Sequence, residues 1–224
     1  MIEFKCENGK KTSKQNKYKY LGLKKPIIMM KAVFILERIL CICDSILFVM
    51  NQSDLEPVSY GSKLKNVNCF CLNENPNSSN PFSVEICVAV KKQILICEFN
   101  SEKIIVLKEV NIGKPGLSMA MDGQYVCVGT ETDFIVVNWE TSHIQDLCAC
   151  DNEILPITKR INKEEFLISG PGSLGLFVKA TGISEKPPLQ WGREIIAITY
   201  SRPYILCLNE NLLSIYRYFL LDKN

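Results

Sequence analysis

Glu165–Gly182, EFLISGPGSLGLFVKATG, holds the unit from which the rest of the sequence is built. Phe166–Ser169 is a short apolar run, Gly170-Pro171-Gly172 is a hard break, Leu174–Val178 is a second apolar run, and Thr181-Gly182 stops it. Two apolar runs of strand length around a Gly/Pro turn predict a β-hairpin of an antiparallel sheet. The unit recurs around the inner runs Ile39–Cys43, Val84–Val90, Tyr125–Val128 and Tyr204–Leu208. With Ile42, Cys87, Cys127, Ile168 and Cys207 as equivalent centres, the steps are 45, 40, 41 and 39 residues. A period of roughly 40 residues with about four strands each is the mark of propeller blades. The pattern alone predicts a repetitive all-β protein of about five four-stranded units at blade-like spacing.

A chain of 224 residues suffices for one large all-β domain. At 47% hydrophobic and 22% charged residues the composition is globular. The net charge of +2 gives no global field for nucleic acid, and none is expected as a partner. Charge is uneven, however: Met1–Lys31 holds nine Lys against Glu3 and Glu7, or +7, which leaves −5 for the remainder. Such a segment can meet anionic lipid or an acidic partner, but blocks of like charge usually remain solvated. Residues 1–20, without helical or strand periodicity, are expected to be a basic, disordered tail, and residues 21–224 the propeller domain.

Eleven Cys raise the question of disulfides or metal. No apolar h-region with a small-residue cleavage site precedes them, and Cys41, Cys43, Cys87, Cys97, Cys127 and Cys207 sit inside apolar strand runs. That suits reduced, buried thiols of a cytosolic protein. The pairs Cys41/Cys43, Cys69/Cys71 and Cys148/Cys150 would each share a strand face, yet a zinc site needs two further ligands at finger-like spacing. Core packing is the expected role, and no metal is expected.

Along the chain, Pro26 should start the ordered region by fixing an extended entry. Ala32–Met50 resembles a membrane span in apolarity, but Glu37, Arg38 and Asp44 divide it, each costing about 2.5–3.5 kcal/mol near a bilayer centre. Strands over Val33–Leu36, Ile39–Cys43 and Ile46–Met50 fit better. Strands are further expected at Val67–Leu72, Phe82–Val90, Ile94–Phe99, Ile104–Val110, Leu117–Met121, Tyr125–Val128, Phe134–Asn138 and near His143–Leu147. Ile195–Thr199, Tyr204–Leu208 and Leu212–Tyr218 close the series. In SVEICVAV only Glu85 breaks the apolar run, as in an inner strand covered on both faces. Asp122-Gly123 reads as a two-residue hairpin turn.

Gly170-x-Gly172-x-x-Gly175 matches the dinucleotide fingerprint in letters, but that motif requires a following helix, and Leu176-Phe177-Val178 continues as strand. The glycines are expected to be turn residues with φ > 0, and no cofactor is expected. The single histidine, His143, sits in Thr-Ser-His-Ile beside a strand, where a surface or strand-end position is expected. Carboxylates are scattered over turns and strand ends without a clustered acid–base pair. The reading assigns no catalytic, cofactor-binding or metal residues, expects no enzyme, and leaves the partner-binding residues open.

Several short motifs, in a shared order from Leu21 to about Tyr218, carry a resemblance. They are Leu21-Gly22-Leu23-Lys24-Lys25-Pro26, Leu55-Glu56-Pro57-Val58, Leu72-Asn73-Glu74-Asn75-Pro76, Pro81-Phe82-Ser83-Val84-Glu85-Ile86-Cys87, Val110 after Lys108-Glu109, and Ala120-Met121-Asp122-Gly123. Gln145-Asp146-Leu147, Lys159-Arg160-Ile161, Glu165-Phe166-Leu167-Ile168, Gly170-Pro171-Gly172 with Leu174-Gly175, and Ala180–Ser184 complete them. Together they resemble the citron homology (CNH) domain of CORVET-type endosomal tethering subunits. The resemblance implies an all-β, WD-like β-propeller, here of about five four-stranded blades, serving as a non-catalytic docking surface of a cytoplasmic protein, held peripherally on early endosomes by its partners. Those partners would be tethering-complex subunits and small Rab-family GTPases, with TGF-β receptors and Smad proteins as further candidates. A signalling scaffold for such receptors and Smads, or a late-endosomal, HOPS-type tether, is the alternative. Family proteins continue into a helical solenoid and a zinc-binding region, and their propeller is expected to have seven blades. The expectation is therefore a partial propeller whose end blades expose unpaired edges.

Overall fold

The computed structural model describes residues 21, 23, 25–58, 64–76, 80–150, 155–191 and 195–218, so the basic tail lies outside the described residues. Period-two alternation and short turns produce five antiparallel sheets. The first holds β1 (Ile27–Val33), β2 (Arg38–Cys43) and β3 (Ile46–Asn51). The second holds β4 (Val67–Leu72), β5 (Ser83–Val90), β6 (Gln93–Asn100) and β7 (Ile104–Asn111). The third holds β8 (Ser118–Asp122), β9 (Tyr125–Gly129), β10 (Asp133–Asn138) and β11 (His143–Ala149). In the fourth are β12 (Thr158–Asn162), β13 (Glu165–Gly170), β14 (Leu174–Lys179), β15 (Gly182–Ile183) and β16 (Leu189–Gln190). The fifth holds β17 (Ala197–Ser201), β18 (Tyr204–Leu208) and β19 (Leu213–Arg217). β4 lies against β8, β8 against β12 and β12 against β17. From the second sheet to the fifth, the first strand is therefore innermost, as in a propeller.

Four apolar clusters form the core, each between consecutive sheets. In β5, Ile86 and Val88 pack toward the first sheet, while Cys87 and Ala89 pack toward the third. Both faces of the SVEICVAV strand are covered, which is why it lacks a polar side. The same parity corrects the repeat alignment. Ile42, Cys87 and Cys127 face the following sheet, but Ile168 and Cys207 face the preceding one. A one-residue slip moves a strand's side chains to the other face. Leu167, which faces the fifth sheet, and Leu206 are the same-face equivalents.

Four strands per blade holds in varied form. The second and third sheets have four regular strands. In the fourth, β15 and β16 share the outer edge of β14, one at each end. Along β3 of the first sheet, Val58 N–H donates to Val49 O at 2.8 Å and Leu47 N–H to Leu64 O at 3.0 Å, so loop segments fill the fourth place. The fifth sheet has three strands among the described residues.

Two local expectations change. Val33–Leu36 is not a strand: β1 already spans Ile27–Val33, straight after Pro26, and Phe34–Leu36 is a 3₁₀ turn into β2. Glu37 closes that turn at φ 52°, its N–H donating to Phe34 O. The β8–β9 turn also sits one residue later than Asp122-Gly123. Asp122 pairs with Tyr125, so Gly123 and Gln124 are the central residues, Gly123 at φ +57°. The shift matters, because it places Asp122 on the strand and buries it.

In the opening hairpin, Gly170 pairs with Leu174 around Pro171-Gly172-Ser173. Only Gly172 of the three glycines has φ > 0, at +68°. A Cβ on Gly170 would lie 2.6 Å from Leu176 Cδ1, and one on Gly175 would lie 2.1 Å from Trp191 Cζ2. Those two are glycines because neighbours press on them, not because of turn geometry. Ala32–Met50 is divided among β1, the 3₁₀ turn, β2 and β3. No helix among the described residues is long and apolar enough to cross a membrane.

Candidate functional site

β4, β8 and β12 end on one rim of the propeller, and the polar residues there belong to the short sequence motifs. Asn73, just beyond β4, uses its whole amide. Its Nδ2 donates to Glu85 Oε2 at 2.7 Å and to Gly123 O at 3.0 Å, and its Oδ1 accepts from Gly123 N at 2.9 Å and Asn75 N at 3.1 Å. Trp139 Nε1 donates to the same Gly123 carbonyl at 3.1 Å. The second and third sheets are thus stitched at the turn that Gly123 makes possible.

The next seam is ionic. Asp122, fully buried, accepts from Arg160 Nε through Oδ1 and from the Glu164 N–H through Oδ2. Arg160 also reaches Glu74 Oε2 at 3.2 Å, so one guanidinium ties three sheets together. A buried carboxylate is tolerated only with such partners, since desolvating an ion costs several kcal/mol. Beside it, burial pushes the Lys159 ammonium down from its usual pKa, and Lys31 adds to the effect while Glu74 opposes it. A third seam joins the fourth and fifth sheets: Glu165 Oε2 accepts from Lys186 Nζ at 2.8 Å and from the Tyr218 hydroxyl.

On the opposite rim, Lys114 binds Thr132 and Asp133. Burial raises the Asp133 pKa, but hydrogen bonds from Lys114 and Thr130 outweigh it and hold the carboxyl below its usual value. His143 is the exposed first residue of β11, a strand-end position as expected.

Nine of the ten described cysteines are buried, and Cys148 is half-buried. Desolvation pushes the Cys41 thiol up to about 11 and those of Cys97 and Cys207 up to about 12. These are core thiols, protonated at neutral pH. Among the described residues no group of three or more His, Cys, Asp or Glu side chains is placed to hold a metal ion.

Exposed apolar side chains gather at the two end sheets. On the fifth, Tyr204, Leu208, Leu213 and Ile215 share the outward face, where Leu208 pairs with Leu213 and Leu206 with Ile215. On the first, Ile28, Met30, Phe34 and Ile35 are exposed. The sequence singled out none of these faces, because apolar alternation looks the same whether or not a neighbour covers it.

The profile of the CNH domain family matches residues 9–218. The chain belongs to the CNH domain family. Among curated proteins, the CNH chain is 39% identical over 203 residues to the Danio rerio transforming growth factor-beta receptor-associated protein 1 homolog, covering 89% of the chain and 24% of that protein. The Homo sapiens transforming growth factor-beta receptor-associated protein 1 is 36% identical over 208 residues, covering 92% and 24%. Vacuolar sorting protein 39 of Arabidopsis thaliana is 20% identical over 187 residues, covering 83% and 18%. The CNH chain spans about a quarter of the length of its receptor-associated relatives. Among solved structures it resembles the AfRom2 CNH domain, with TM-score 0.63, 19% identity, and coverage of 91% of this chain and 71% of that one. The WD40 domain of Toxoplasma gondii coronin gives TM-score 0.62 at 12% identity, with coverage of 81% and 53%. These two likenesses establish the propeller fold.

Proposed function

We propose that this CNH chain is a non-catalytic docking module of an endosomal vesicle tether, acting in the cytoplasm on the early endosome membrane, where its partners hold it. One observation carries the reading: identity of 34–39% to receptor-associated protein 1 relatives over about nine-tenths of the chain. The distant similarity to a vacuolar sorting protein supports the trafficking sense of that relationship. Its partners in this reading are sister tethering subunits and GTP-bound small Rab-family GTPases. The receptor association in the name of the same relatives favours a second reading, a scaffold that binds TGF-β receptors and Smad proteins.

The test is retention on the immobilised 224-residue chain. Purified Rab GTPases would be offered loaded with a GTP analogue or with GDP, beside Smad proteins and receptor cytoplasmic domains. Retention of a Rab only in its GTP form supports the tether. Retention of Smads or receptor alone supports the scaffold, and retention of neither class rejects both for this module.

A further inference from the structure

The seam between the fourth and fifth sheets contains more than a salt bridge. Glu165, first residue of β13, is 2% exposed, and only one of its oxygens is engaged: Oε1 is buried without a hydrogen-bond partner. Around the carboxylate stand aromatic rings from both sheets. Tyr218 packs against Phe177 at 5.6 Å between centroids and edge-on against Tyr200 at 5.8 Å. Lys186 fills the space between them, with its Nζ 4.6 Å from the Tyr218 ring centroid and 5.6 Å from that of Phe177. A cation over aromatic faces with a carboxylate beside it has the form of an ammonium or guanidinium cage.

Lys186 is an imperfect occupant. Its ammonium satisfies Oε2 and leaves Oε1 bare, whereas the planar fork of a guanidinium can donate to both oxygens of a carboxylate and stack on a ring. It also comes from Ser184–Pro188, a link between the short strands β15 and β16 in which Glu185, Pro187 and Pro188 are exposed. Its side chain keeps 22% of its surface accessible, so the cage opens toward solvent where Lys186 enters. We propose that this seam is a recognition site for an arginine side chain of a protein partner, and that Lys186 is the built-in plug which such an arginine displaces. The inference stands on the cage itself and holds whichever of the two docking readings is correct.

The test uses the full chain carrying Lys186→Ala, with methylguanidinium as probe and methylammonium and NaCl as equal-strength controls. The variant leaves the buried Glu165 carboxylate without its counter-ion and with the Tyr218 hydroxyl as its donor, so its melting temperature should fall. Methylguanidinium should restore it saturably and beyond methylammonium, while raising the unsubstituted chain far less at the same concentration. A ligand that binds only the folded state raises stability by mass action, so the titration also reads refolding if the variant starts unfolded. Adding Glu165→Gln should abolish the rescue. In parallel, Lys186→Met, which keeps most of the stem, should bind N-acetyl-arginine methylamide at least about tenfold more tightly than the unsubstituted chain, because no plug competes. Absence of saturable rescue, equal rescue by both cations, rescue that survives Glu165→Gln, or equal affinity of Lys186→Met and the unsubstituted chain would each overturn the proposal.

Discussion

Arg160 shows what one side chain contributes when it is the shared partner of two carboxylates on different sheets. Replacing it with Met keeps the stem's packing but leaves buried Asp122 with the Glu164 N–H alone. Breaking one side of a buried pair typically costs about 3–5 kcal/mol, and we expect roughly 3 kcal/mol here, because Arg160 is partly exposed. Urea unfolding measures it; a loss below about 1 kcal/mol, as for a surface pair, would refute the seam's importance. Lys159 next door should behave oppositely. Its folded-state pKa lies below the usual value, so burying its charge costs stability at neutral pH. That cost fades as pH rises through the folded pKa toward the unfolded value of about 10.4. Lys159→Met should therefore stabilise the chain at pH 7, with a gain that shrinks toward pH 10.5. A pH-independent difference would sink the assignment. These pairings were not legible in the sequence, where Arg160 and Glu74 lie 86 residues apart. The signal that did exist was a lone acidic residue in an apolar run, Glu85 and Asp122 alike.

At the scale of strands and turns, strand bounds are legible in the sequence nearly residue for residue where alternation and turn chemistry agree. β4 coincides with Val67–Leu72, and β18 with Tyr204–Leu208. Reading failed where tertiary neighbours decide. Turn chemistry accounts for Gly172 of the Gly-x-Gly-x-x-Gly stretch, whereas Gly175 is set by Trp191 arriving from the β16 side. Gly175→Ala puts a methyl 2.1 Å from Trp191 Cζ2, and a ring locked in the core cannot yield freely. Overpacking of this kind costs about 1–3 kcal/mol. We expect that loss together with a red shift of tryptophan emission as Trp191 is displaced. An unchanged spectrum with full stability would show that the ring yields without cost. By contrast, Gly172→Ala places a methyl in open space and should cost through φ > 0 alone, by about 1 kcal/mol.

For the whole molecule, the all-β repeat was legible because every sheet follows the same spacing of apolar runs and breaks. The sidedness of the repeat was not, because period two offers two alignments and only packing chooses between them. The number of core clusters follows from the same architecture: five sheets, four clusters between consecutive neighbours, and no cluster among the described residues that joins the first sheet to the fifth. The second to fourth sheets are covered on both faces, whereas the end sheets carry the exposed apolar faces. Amide hydrogen exchange should therefore be slowest in β5, β9 and β13 and fastest in β17–β19. Uniform protection across all five sheets would contradict this order.

An array whose apolar clusters each join only consecutive layers behaves more like a row of coupled switches than a single one. The boundary between ordered and disordered layers can then enter from either end and advance one sheet at a time, each step governed by one cluster. A substitution in the seam between the fourth and fifth sheets would release the fifth alone, while one between the second and third would divide the row in half. Position along the array, as much as burial, should set how far the damage from a mutation travels.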